Sequence, residues 1–232
     1  MATPRSDPDP NDSNSNRPRP LLLDGAHNPS SATLLASYLS SLPPHLLPAT
    51  LIFALSAPRD PSDVVRPLLQ ALLGCGPDLD AKHSEGAATT TDTEKRKRRR
   101  RRVLRVVCCG FSTPVGMEWV RPTSPSELAD RVRQEVDRLL SSRQEQQQGD
   151  VEVQVLEAGD AEEALRIAEA AEEEVEDQDE IEADEAEDKD GIATTTRRPP
   201  PPIVVAGSLY LVADVMRLAR RLGAGAADGR DP

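Results

Sequence analysis

The stretch Leu21-Leu22-Leu23-Asp24-Gly25-Ala26-His27-Asn28-Pro29 decides the fold. Three consecutive leucines make a short, unbroken apolar run, the pattern of a strand buried on both faces in a parallel sheet. Asp24-Gly25 ends that run in a loop. Pro29 then stands where a helix can begin, because the N–H that proline lacks has no intrahelical partner at that position. Over 30–42 the apolar residues Ala32, Leu35, Ala36 and Leu39 recur at helical spacing, until Pro43-Pro44 stops the pattern. The segment reads as one strand, one polar turn and one amphipathic helix.

The same alternation continues along the chain. A strand is expected over 50–55 and a helix over 61–73, with Asp60 or Ser62 near its cap. A third strand is expected over 103–109, and a third helix over 124–140 opening at Ser124-Pro125. Alternating residues over 151–156 predict a fourth strand, followed by a helix over 160–174. A fifth strand spans 203–206, Gly207-Ser208 turns the chain, and a helix follows over 209–222. Five strand-then-helix units imply an α/β domain of three layers, a mainly parallel sheet with helices on both faces.

The core must be aliphatic, since aromatic residues are only 2% of the 232 and the apolar content is mostly Leu, Val and Ala. The domain is expected over 20–226, after a disordered lead-in at 1–19 that is polar and rich in proline. Low-complexity insertions are expected at 76–102, 143–149 and 172–202. Each falls between a helix and the next strand, where doubling a loop's length costs only about 0.6 kcal/mol. The net charge of −12 describes these insertions more than any face, because 95–102 is an unbroken basic run and 172–190 is mostly carboxylate. No aromatic residue interleaves with the basic run, and the acidic run can neutralise it, so nucleic-acid binding is not expected.

Cys75, Cys108 and Cys109 have neither a metal-ligand spacing nor a disulfide framework, and the adjacent pair reads as small apolar strand residues. A reducing compartment fits them. No stretch approaches the roughly 20 apolar residues of a membrane span, and the lead-in resembles neither a signal peptide nor a transit peptide. The expected location is the cytoplasm, with the mitochondrion as the alternative.

Ligands of an open parallel sheet bind at the carboxyl ends of its strands, and two loops there carry suitable chemistry. The first holds Asp24, His27 and Asn28, a carboxylate, an imidazole and an amide within five residues, backed by a helix N-terminus that suits a phosphate or carboxylate. The second is Gly207-Ser208-Leu209-Tyr210, where glycine allows close backbone approach and Ser208 can cap the helix or bind an anion. Bland readings stand beside these: Asp-Gly is a common turn pair, Asn28 can simply cap its helix, and a serine such as Ser208 is more often a cap than a ligand. Asp60 reads as a cap first. His45 and His83 receive no role, and neither a catalytic residue nor a metal ligand is assigned.

These residues resemble the Mur ligase superfamily, and within it the folate branch of dihydrofolate synthase and folylpolyglutamate synthase. LLLDGAHNPSSATLLASYL (21–39) is similar to the segment that opens the C-terminal domain of that branch. IFALSAPRD (52–60) resembles its next strand and Lys-Asp or Arg-Asp loop, and VVAGSLYLVADVMR (204–217) its late Gly-Ser-Leu-Tyr segment. FSTPVGMEWVRPTSPSEL (111–128) is similar to fungal-type members.

The resemblance implies a Rossmann-like Mur ligase C-terminal domain, part of a ligase that phosphorylates a carboxylate with ATP and joins it to the amine of glutamate. It implies that Asp24 contacts the ATP ribose or base, that His27 and Asn28 position the nucleotide or glutamate, and that Ser208 and Tyr210 hold a glutamate carboxylate. ATP and magnesium would serve the complete enzyme, with neither held tightly by this chain alone. Its other partner would be a pteroate or folate, reached through an N-terminal domain bearing the phosphate loop. The sequence departs from the family in having no Gly-Lys-Ser phosphate loop and none of the central domain's magnesium ligands, and Asn11 and Asp12 stand where the family carries an arginine. The expectation is therefore the glutamate- and ATP-contacting part of a folate ligase, inactive alone. The alternative is a non-catalytic α/β scaffold with charged disordered arms. No G-x-G-x-x-G follows a predicted strand, which argues against a dinucleotide-binding oxidoreductase.

Overall fold

The computed structural model describes residues 19–43, 46–74, 102–144, 151–170 and 201–227. Its strands are β1 (Leu21–Asp24), β2 (Thr50–Ala54), β3 (Arg102–Cys109), β4 (Val151–Ala158) and β5 (Ile203–Gly207). They form one five-stranded sheet in the order β1-β5-β2-β3-β4, and every pairing among them is parallel. The helices are α1 (Pro29–Ser41), α2 (Ser62–Leu73), α3 (Pro125–Gln144), α4 over 161–170, and α5 (Leu209–Ala227).

Burial explains the strand sequences. Central strands β2 and β5, TLIFA and IVVAG, are buried at every position, as uninterrupted apolar runs require. β4 lies at an edge and alternates, its Glu152 and Gln154 spaced between valines that pack on the core. Successive side chains point to opposite faces and build two cores. Leu51, Phe53, Val204 and Ala206 pack with α1, α2 and α3, while Ile52, Ala54, Ile203 and Val205 pack with α4 and α5. These are the three layers expected from the sequence.

Several boundaries move. β1 includes Asp24, and α3 runs on to Gln144, into the segment read as insertion. Arg102, read as the last residue of the basic run, is the first residue of β3; its guanidinium donates to the carbonyls of Leu72 and Pro48, each at 2.7 Å. A long arginine stem can lie along the domain while its head reaches carbonyls at the domain's margin, so charge alone misplaced the strand's start. Arg19, assigned to the lead-in, donates to the Pro201 carbonyl at 2.6 Å and so clasps the starts of β1 and β5. The remainder of the lead-in and insertions, with Cys75, His45 and His83, lies outside the described residues.

Cys108 and Cys109 are buried in β3, and burial pushes the Cys108 thiol up to about 12 and that of Cys109 higher still. A thiol so reluctant to ionise is no nucleophile.

One charged pair joins α2 to α3. The Glu135 side chain is 3% exposed and accepts from Arg66 Nε at 2.8 Å and a terminal nitrogen of Arg66 at 3.2 Å, with Arg138 donating at 3.0 Å. The Arg66 hydrogen bonds draw the Glu135 carboxyl below its ordinary value of 4.5. A carboxyl lowered by folding contributes stability that is present above the unfolded value and lost as pH falls through the folded one. Because Arg66 is itself 39% exposed, its charge stays hydrated when the pair is broken. Glu135→Gln is therefore expected to cost only about 1–2 kcal/mol at neutral pH. Urea unfolding should show the gap between variant and wild type shrinking as pH falls below 4.5; a gap independent of pH would contradict this role for the pair.

Candidate functional site

The carboxyl edge of the sheet holds both loops singled out from the sequence. Asp24 ends β1 in register with Ala206 of β5, so the two loops leave neighbouring strands at one level. The chain then parts: α1 packs on one face of the sheet and α5 on the other. Neighbouring strands whose connections diverge to opposite faces form a topological switch point, the place where open α/β sheets leave a crevice. β2 repeats the arrangement on the other side of β5, since α2 shares the face of α1.

The loops are held close together. A Cβ on Gly25 would collide with the side chain of Leu209, so the first loop's backbone passes directly against the start of α5. Gly207 has φ of 109°, and a Cβ there would fall on the Ala54 carbonyl oxygen. The following Ser208 N–H donates to that same carbonyl at 2.8 Å.

In the first loop, side-chain alternation puts half-buried Asp24 on the α1 side of the sheet, in line with Leu22. His27 Nδ1 lies 2.7 Å from the Gly25 carbonyl oxygen and must carry the proton there, so the neutral ring offers Nε2 as an acceptor. Asn28 is spent locally: its Oδ1 accepts from Ser31 N–H at 3.0 Å, while Ser31 Oγ accepts from Asn28 N–H at 3.3 Å. This is a capping box, and Pro29 brings no N–H, so the helix end offers an anion far less than the sequence suggested.

Ser208 and Tyr210 come from the second loop. Ser208 is 3% exposed, and its Oγ accepts from the Tyr210 N–H at 3.2 Å, a helix cap once more. The Tyr210 hydroxyl donates to Met117 Sδ at 3.6 Å, and its ring lies 5.5 Å from that of Phe111 with 31° between the planes. Asp24, His27 and Asn28 thus share a rim with Ser208 and Tyr210, while His27 and Tyr210 head helices on opposite faces of the sheet.

Two features of the rim escaped the sequence reading. Arg59, in the β2–α2 loop, donates to the His27 carbonyl at 2.7 Å and fixes the first loop from the side; the Arg-Asp pair was visible, but nothing local indicated its partner. The β3–α3 connection also crosses to this rim. It is pinned by Ser112 N–H donating to Asp214 at 2.7 Å, by Ala57 N–H donating to the Arg121 carbonyl at 2.9 Å, and by Thr123 N–H donating to Leu55 at 2.8 Å. Asp60, read as a cap, stands one residue before the N-cap of α2, Pro61; its carboxylate accepts from Ser62 N–H at 2.9 Å, which lowers its pKa.

Among the described residues no group of three or more His, Cys, Asp or Glu is placed to hold a metal ion. No described helix is long and apolar enough to cross a membrane.

A parallel sheet covered on both faces, with polar turns at a carboxyl-edge switch point, defines the class, a doubly wound α/β domain. Residues 9–73, which include the first two strand–helix units, match the family described as dihydrofolate synthetase, C-terminal domain. Two crystal structures of a bifunctional folylpolyglutamate synthase/dihydrofolate synthase from Yersinia pestis CO92, one complexed with AMPPNP and Mn ion, are similar at 17% identity and a TM-score of 0.43. Each comparison covers 86% of this chain and 28% of the other, so the chain spans little more than a quarter of their length. No curated protein matches the chain.

Proposed function

We propose that this domain supplies the glutamate- and nucleotide-facing rim of an ATP-dependent ligase that adds glutamate to a pteroate or folate. The observation that carries the reading is the Asp24–Ala206 register, which sets two polar turns, far apart in sequence, side by side at a switch point. In this reading Asp24 accepts hydrogen bonds from the ribose or base of ATP, and His27 Nε2, with its ring oriented through Nδ1, accepts from the nucleotide or the incoming amino acid. The Ser208 hydroxyl, whose oxygen accepts from the Tyr210 N–H, keeps its own proton to donate to a glutamate carboxylate. Among the described residues no group of three or more His, Cys, Asp or Glu stands together, and the sequence contains no Gly-Lys-Ser loop. In this reading phosphate and metal handling fall to another domain, and this chain alone neither hydrolyses ATP nor forms the amide.

Calorimetry on the full chain tests the division of labour. Binding of magnesium-ATP with glutamate present is expected in the millimolar range, about −4 kcal/mol, with no ADP formed when pteroate is added. Micromolar magnesium-ATP binding by this chain alone, or turnover, would overturn the proposal.

A further inference from the structure

The connection from β3 to α3 meets α5 at two successive residues. Phe111, itself buried, lies with its ring 5.5 Å from that of Tyr210. Ser112, the next residue, donates its N–H to Asp214 Oδ2 at 2.7 Å. Tyr210 and Asp214 are four residues apart in one helix, so they share a face on neighbouring turns. Contacts on two turns fix both where α5 begins and how it is rotated against the connection. That beginning carries Ser208, whose Oγ accepts from the Tyr210 N–H at 3.2 Å.

Asp214 is an unexpected residue at this place. It is only 8% exposed, beside the fully buried Leu211 and Val215, and a buried carboxylate is costly unless its oxygens are satisfied. Here Oδ2 takes the Ser112 N–H and Oδ1 takes a guanidinium nitrogen of Arg217 at 2.6 Å. An apolar residue would pack there without that cost, so stability alone does not account for the carboxylate. With both oxygens engaged and little surface left, Asp214 is not placed to meet a ligand. It ties the backbone of the connection to the helix that bears Ser208 and Tyr210.

We infer that Asp214 is a positioning residue for the second turn: its hydrogen bond to Ser112 fixes the seat of the Ser208 hydroxyl, and with it the affinity for an amino-acid carboxylate. The inference rests on the proposed function, in which that hydroxyl donates to glutamate. Losing Asp214 frees the start of α5 from the connection. The first turn keeps its own hold, through Arg59 on the His27 carbonyl. Glutamate binding should therefore suffer while nucleotide binding does not.

Backbone ¹⁵N spectra of the full chain follow both ligands. Half-saturation is measured for glutamate at fixed magnesium-ATP and for magnesium-ATP at fixed glutamate, from the signals of 207–210 and 25–28. Asp214→Ala is expected to raise the glutamate value about tenfold, the scale of one hydrogen bond to a charged group, and to leave the magnesium-ATP value within about twofold. Asp214→Asn keeps an acceptor for the Ser112 N–H, and Arg217, 58% exposed, can turn to water. That variant should stay within about twofold of wild type for both ligands. Glu135→Gln also discharges a buried carboxylate, but on the α2–α3 contact, and should change neither value. In the ligand-free protein the Ser112 amide should exchange with solvent about tenfold faster in Asp214→Ala than in wild type.

Three results would overturn the inference. One is a glutamate value in Asp214→Ala that matches wild type, another is an equal rise for both ligands, and the third is an asparagine variant as impaired as the alanine one. If wild type responds to both ligands and Asp214→Ala responds identically, the positioning role fails and the ligase reading stands. A wild type silent to both ligands sinks the two together.

Discussion

Replacing Gly207 with alanine is expected to destabilise the domain by about 3–5 kcal/mol and lower its melting temperature by about 10 °C. Two costs add. At φ of 109° an L-residue is strained by about 1–3 kcal/mol, and the new methyl would collide with the Ala54 carbonyl oxygen. That oxygen is backbone of the central strand β2 and accepts the Ser208 N–H, so it cannot swing aside without breaking the hydrogen bond that seats the second loop. Gly74 provides the control. It too has positive φ, 72°, but a Cβ there meets nothing within 4 Å. Gly74→Ala should therefore cost only about 1 kcal/mol. Equal losses for the two variants, measured by thermal unfolding, would mean that the close approach at Gly207 carries no weight.

The second large effect is expected at Phe53. It is fully buried, the largest such side chain of the described residues, and it belongs to β2 at the centre of the sheet. Its Cε2 would lie 3.3 Å from a Cβ on Gly207, so the ring fills the space directly beneath the rim. Phe53→Ala removes the ring's apolar contacts and leaves a cavity that backbone on both sides prevents from collapsing. The loss should be about 3–5 kcal/mol by denaturant unfolding, against less than about 1.5 kcal/mol for Phe53→Leu, which retains most of the volume. A loss below about 1 kcal/mol for the alanine variant would show that the core under the rim is looser than described. Because the cavity opens beneath Gly207, this variant should also weaken whatever the second loop holds.

Most of the fold was legible because this sheet is parallel and its central runs, TLIFA and IVVAG, have no polar face to confuse their reading; LLL, read as buried on both faces, is instead the half-buried edge strand β1, because only β5 pairs with it. Proline and Ser-Pro pairs then marked the helix starts. What escaped was non-local. Arg102 sits in a run of basic residues, and nothing in that run separates the one that pairs with Val151 from its neighbours. Arg59 and the 111–123 connection reach the rim through tertiary contacts with residues far away in sequence, His27 and Asp214 among them. The polar residues themselves were found, but their local duties were only half seen. Asn28 and Ser208 both act as caps, the role that a serine such as Ser208 takes more often than ligand contact and that Asn28 could equally have taken. Tyr210 was recognised by its place in a segment, and its packing on Phe111 and Met117 required coordinates.

Under the proposed function, the two turns at the ends of β1 and β5 act on one ligand set. Backbone ¹⁵N spectra of the full chain, recorded as magnesium-ATP is added in the presence of glutamate, address it directly. Residues 25–28 and 207–210 should shift together along one binding curve, with His27 and Ser208 among the largest changes. Shifts confined to one of these turns, or centred on the opposite edge of the sheet, would contradict it.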